Sequence, residues 1–194
     1  MSRITSSHEA CHDAHEERRK YEVQPARGSC RSERARGWDR ILYLDGGRAP
    51  GAAERRRGYR RAARAAQLSE LTLPGGLTER EGAAAASAML EWPELPSATF
   101  AFNDRCALGV MDVLIRSGFA VPQRVSVVGF DDSPLAGMAH IDLTTIRQDS
   151  TGLARAAVQR LVARLDDVDV EPGAVDITCE PALIVRGSTA PPTV

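Results

Sequence analysis

Three polar clusters, each set directly behind a short apolar run of strand-forming residues, constrain this chain more than any other feature. "ILYLDGG" (41–47) runs into Asp45, "SATFAFND" (97–104) into Asn103 and Asp104, and "VSVVGFDD" (125–132) into Asp131 and Asp132. "LSELTLPGG" (68–76) supplies another strand. Between these runs lie "PGAAERRRGYRRAARAA", "LTEREGAAAASAMLEW" opened by Thr78, and "DRCALGVMDVLIRSG", all with helical spacing. Strand then helix, repeated, predicts βαβ units: an α/β fold with a parallel sheet flanked by helices. The 125–130 run is continuously apolar, as a strand covered on both faces must be. In such sheets ligands bind in the crevice outside the carboxyl ends of the strands. Each of Asp45–Arg48, Asn103–Asp104 and Asp131–Asp132 reads equally well alone as a cap or a turn. Three in one topological position point to a shared ligand crevice.

A fourth point comes from the first helix. At about 100° per residue, Arg57, Arg60, Arg61 and Arg64 share one face, which reads as solvated surface. Arg55 falls on the opposite side, with Tyr59, Ala62 and Ala66. An arginine on the apolar side of a first helical turn either pairs with an acid or points into the crevice, where its planar fork suits carboxylate or hydroxyl groups. In the third helix Ala107, Leu108, Met111, Leu114 and Ile115 form the expected core face. Further on, "LTTIRQD" precedes a helix over about 150–165 with Leu153, Ala157, Leu161 and Leu165 at four-residue spacing. "AVDITCEPALIVRGS" reads as a last strand in which Pro181 implies a bend or an edge.

The 194 residues are 43% hydrophobic, enough to bury a core, and the formal net charge of −1 selects no nucleic-acid or membrane partner. The opening "MSRITSSHEACHDAHEERRK" has no apolar stretch of the kind a secretory signal needs, and no run approaches the ~18 apolar residues of a membrane span. Cys11, Cys30, Cys106 and Cys179 are scattered, without a CxxC pair, and read as reduced thiols, two of them in the core. A cytoplasmic location is expected. Residues 1–37 carry three of the four histidines and no sustained apolar period, so a poorly ordered tail is expected there. The regular strand-and-helix stretch occupies 38–190, with 191–194 as a short tail.

Six segments in order, "RGWDRILYLDGG", "ERRRGYRRA", "FAFNDRCALG", "VPQRVSVVGFDD", "LTTIRQD" and "LIVRGS", closely resemble the carboxyl-terminal half of lac-repressor-type (LacI/GalR) transcription regulators. The resemblance implies a periplasmic-binding-protein-like fold, mostly one lobe plus crossover elements of the second. It implies a small-molecule effector, a sugar or related metabolite, that controls DNA binding allosterically. It also implies ligand-binding roles for Arg55, three residues before the Gly58–Tyr59 pair, for Asn103, and for Asp131, with Gln148 a further candidate near the crossover. Asp132 is expected to act as the turn or cap for "SPLAGMA". A homodimer is implied, with surfaces near 105–117 and 133–140. No cofactor, metal or catalytic residue is implied.

The family's helix-turn-helix head and full amino-terminal lobe are not recognisable before residue 41, so operator DNA is expected to be reached only through a head this chain lacks. The expectation is a regulator-derived fragment, through a shifted frame or a misplaced start, whose 150–186 elements lose their partners and expose apolar surface. Three rival readings stand beside this one. "HEACH" (8–12) matches a zinc-protease pattern, with His8 and His12 as ligands and Glu9 as base, but no amphipathic helix or preceding strand surrounds it. A transport solute-binding protein for sugars would share the fold. A doubly wound enzyme finds no support, since GxSxG, GxGxxG and a nucleophile beside a base are all missing. His140 reads as a surface histidine.

Overall fold

The computed structural model describes residues 40–165 and 179–191. The "HEACH" stretch, Cys11, Cys30 and residues 192–194 lie outside the described residues. Among the described residues six strands and four helices follow in order: β1 Ile41–Asp45, α1 Ala52–Ala65, β2 Leu71–Pro74, α2 Glu79–Leu90, β3 Ala98–Ala101, α3 Asp104–Arg116, β4 Ser126–Val128, β5 Thr145–Arg147, α4 Ser150–Leu165 and β6 Ala182–Ile184. The first four strands form one parallel sheet in the order β2-β1-β3-β4, with Leu42 opposite Leu71 on one side and Thr99 on the other. The βαβ reading therefore holds through residue 128.

Beyond it the strands change partner. β4 is only three residues long; its last residue, Val128, bridges Thr144 in parallel, and Gly129 and Asp131 donate their N–H groups to Thr144 O and Ile146 O (2.8 Å each). β5 and β6 then pair antiparallel, Ile146 opposite Leu183. The last strand is thus no member of the parallel sheet. Pro181 sits immediately before it, where a missing N–H does not interrupt the pairing.

Alternation along β1 splits the interior. Leu42 and Leu44 face a large core with Ala85, Ala86 and Met89 of α2, Cys106, Val110 and Leu114 of α3, and Val125 and Val127. Tyr43 faces the other way, stacked on Tyr59 of α1 at 5.1 Å between ring centroids. α2 opens with a capping box between Thr78 and Glu81, as the sequence suggested for Thr78. α2 and α3 meet at two glycines: a Cβ on Gly82 would lie 2.1 Å from Cys106 O, and one on Gly109 1.9 Å from Glu79 O. Backbone therefore packs on backbone, and the run of alanines in α2 suits that approach.

Two helical faces differ from the wheel. In α1 the buried positions are Ala52, Tyr59 and Ala63, while Ala62 and Ala66 are exposed. In α3 Ile115 is 58% exposed and Leu108 half-buried, whereas Cys106, Gly109 and Val110 fill the interior. Cys106 is thus in the core and Cys179 only half-buried. α4 buries nothing: Val158, Leu161, Val162 and Leu165 are 60%, 59%, 48% and 76% exposed, and Leu183 and Val185 of the β6 segment 53% and 69%. The expected exposure of apolar surface over 150–186 is present in the described part of that stretch.

Candidate functional site

The carboxyl ends of β1, β3 and β4 open on the same edge of the parallel sheet, and α1 begins there. Arg55, in the first turn of α1, points into this region with its side chain 15% exposed. Its guanidinium lies 4.3 Å from the Phe102 ring centroid and 3.6 Å from that of Phe130, between two aromatic faces. Nη1 donates to Phe102 O at 2.6 Å, and Nη2 stands 3.7 Å from Asp131 Oδ1. Burial pushes the Arg55 pKa down, against the pull of Asp131 and Tyr43. Gln148 Nε2 donates to the same Asp131 Oδ1 at 2.9 Å. Burial likewise raises the Asp131 carboxyl above the ordinary aspartate range, with Asp104 adding to the rise and Arg55 and Gln148 opposing it.

Arg55, Asp131 and Gln148 are therefore brought together. Asn103 is placed at the same strand ends but is used differently. Its Oδ1 accepts from Cys106 N at 2.8 Å, capping α3, and its Nδ2 donates to Leu77 O at 3.0 Å. The Asp45 corner closes on itself: the carboxylate binds Arg56 Nη1 and accepts from Gly47 N, and Arg48 is exposed.

Two features escaped the sequence. Phe102 and Phe130 each directly precede a polar cluster, and their common position was the available signal. The buried role of Asp104, which the sequence placed only as part of the Asn103–Asp104 cluster, is the second: 2% exposed, it accepts from Thr145 Oγ1 at 2.5 Å and Ser133 N at 2.6 Å. Asp132 also departs from the turn-or-cap expectation. Its carboxylate, 8% exposed, accepts from Arg147 Nε at 2.6 Å and Arg186 Nη2 at 2.7 Å. Burial pushes this carboxyl up, but the hydrogen bonds and charges of Arg186 and Arg147 together outweigh burial and hold it low. A depressed folded value contributes stability above the ordinary aspartate value of ~3.9 that is lost as pH falls through the folded one. Thermal melts of the parent chain are thus expected to fall more steeply below about pH 4 than those of Asp132→Asn; parallel curves would refute this. A cavity of about 320 Å³ borders Asp131, Asp132, Arg147, Gln148, Asp149 and Glu180. A second, of about 540 Å³ and mostly apolar, lies between the ends of β1 and β2 and α2.

The arrangement is a binding surface: an oriented, largely buried cation and an exposed carboxylate, flanked by aromatic faces. Residues 34–189 match the family described as the periplasmic binding protein-like domain. The chain is 44% identical to a LacI transcriptional regulator from a Rhodococcus species, with a TM-score of 0.74 over 80% of this chain and 57% of that one. The chain belongs to the LacI/GalR type of periplasmic-binding-protein-like regulators. The chain is also similar to the helix-turn-helix-type transcriptional repressor PurR of Vibrio atlanticus, 34% identical over 70% of this chain and 42% of that protein. A CelR regulator in complex with cellobiose is 34% identical, with a TM-score of 0.71 over 78% of this chain and 47% of that one. This chain spans less than half the length of that PurR. Relatives that are regulators do not favour the transport reading. Among the described residues no helix is long and apolar enough to cross a membrane.

Proposed function

We propose that this chain is the effector-sensing part of a LacI/GalR-type transcription regulator, with Arg55 and Asp131 as the principal effector contacts. The observation that carries the reading is the Arg55–Asp131 pairing at the strand ends. Arg55 already holds its orientation through Phe102 O and two rings, and its 3.7 Å approach to Asp131 is too long for a hydrogen bond. A neutral polyhydroxylated ligand lying over the pair is held by both, its hydroxyls accepting from Arg55 and donating to Asp131. Gln148 and Asn103 serve at the margin, Gln148 by orienting Asp131.

Operator DNA is read, in this proposal, by a helix-turn-helix head; the Vibrio relative is a helix-turn-helix-type transcriptional repressor. The chain works as a homodimer in the cytoplasm, without cofactor or catalysis. The test is calorimetric titration of the purified chain with cellobiose, glucose, ribose, adenosine and cytidine. Binding of at least one, weakened by Asp131→Asn, is expected; the absence of binding by all five would overturn the reading.

A further inference from the structure

Asp131 and Asp132 both have positive φ, 112° and 49°. Side-chain-bearing residues hold such conformations only where the surroundings impose them. Four bonds impose them here. Asp131 N donates to Ile146 O at 2.8 Å, and Asp132 N to Thr145 Oγ1 at 3.3 Å. Asp104 receives Ser133 N and Thr145 Oγ1 beneath the turn.

Over this turn sits the Asp132 carboxylate, which gathers charges from two separate strands. Arg147 ends β5, and Arg186 follows β6 by two residues, 54 positions from Asp132 in sequence. Arg186 also donates through Nη1 to Leu143 O at 2.8 Å, on the segment leading into β5. One carboxylate, adjacent in sequence to Asp131, is therefore where the turn, β5 and the end of β6 meet. Charge-assisted pairs of this geometry are the stronger class of hydrogen bond, and two of them converge on a buried group.

We infer that Asp132 is the positioning residue of the site: by clamping Arg147 and Arg186 it fixes the turn that aims Asp131, and it joins that turn to β5 and β6 as one unit. This rests on the reading of Asp131 as an effector contact. It goes further in giving the effector a route to both crossover strands. A change in how Asp131 is held is passed through Asp132 to strands that pair with each other.

The tests need no effector, so their failure is distinct from a failure to find one. Amide hydrogen exchange is compared in the whole chain and in Asp132→Asn. Exchange at Asp131 and Asp132 and along 145–147 and 182–186 is expected to quicken together, about 10- to 100-fold, with 98–101 and 110–114 unchanged. Faster exchange in 182–186 alone would reduce Asp132 to a strand pin and overturn the inference.

The second measurement uses Arg147→Ala, which removes only one of the two partners, an arginine 55% exposed. The readout is the titration of the Asp131 carboxyl by carbon-13 NMR. Asp131 faces Arg55 and Gln148, with Asp104 behind it. Loss of a nearby cation alone pushes the midpoint up. A released turn, which carries the already exposed Asp131 carboxyl further into water, lets it fall toward the ordinary aspartate range. A fall is expected; a rise or no change would overturn the inference. If Asp132→Asn fails to fold, this variant decides through both readouts.

Discussion

An Arg55→Ala chain is expected to fold and to bind its effector about 100-fold more weakly than the parent. The magnitude follows from what the arginine does. A hydrogen bond to a charged group contributes about 1.5–3 kcal/mol, and about 1.4 kcal/mol is a factor of ten in affinity. Phe102 and Phe130 hold the guanidinium between them and keep its fork from sampling other directions. Alanine removes both the donors and the partner that Asp131 has across the gap. Lysine does not restore them, since a single ammonium on a flexible stem cannot keep the bond to Phe102 O and reach the ligand together. Calorimetric titration of the parent, Arg55→Ala and Arg55→Lys with the same ligand checks this. Equal affinity in the alanine variant would remove Arg55 from the site.

The largest loss of stability is expected from Gly109→Ala. The added methyl carbon would lie 1.9 Å from Glu79 O and 2.8 Å from Ala83 N, both backbone atoms of the facing helix. No rotamer change relieves a clash with backbone, so α2 and α3 must separate. Overpacking of a well-filled core costs about 1–3 kcal/mol, occasionally more, and this position belongs at the upper end. At about 2–4 °C per kcal/mol for a chain of this size, Tm falls by about 6–12 °C. Gly58→Ala is the control: it lies in α1 with nothing within 4 Å of its would-be Cβ. Its Tm is expected to stay level or rise slightly. Circular dichroism melts of the two variants separate packing from helix propensity, and equal melting would refute the crossing argument.

The parallel sheet was legible because its signal is local. An apolar run ending in a polar cluster marks both a strand and the edge at which it opens, and three of them preserve the strand ends that Asp45, Asn103 and Asp131 occupy. Arg55 was legible for the same reason, since one helical turn suffices to place it beside Tyr59. What failed depended on distant partners. Ala62 and Ala63 are indistinguishable by polarity, and only the position of Tyr43 across the interface decides which is buried. Asp132 looks like a turn residue because its neighbours are a proline and a serine, whereas its ion-pair partners stand 15 and 54 residues away. The change to antiparallel pairing at β5 and β6 likewise rests on distant partners, Thr145 opposite Ile184 and Arg147 opposite Ala182, which no periodicity encodes. The Gly82–Gly109 crossing was equally silent, because a glycine in a helix looks like a weakness until a second backbone is seen against it.

The buried thiol of Cys106 gives the core a chemical clock. It is fully enclosed, donates to Gly75 O at 3.2 Å, and burial pushes its pKa up to about 12. Alkylating reagents are attacked by the thiolate, which is scarcely populated at neutral pH and out of reach while α2 and α3 remain together. Modification of Cys106 is therefore timed by the parting of those helices, so its rate reports how often the lobe's interior comes open. A single sulfur atom thus converts a rare structural excursion into a stable mass tag that accumulates with time.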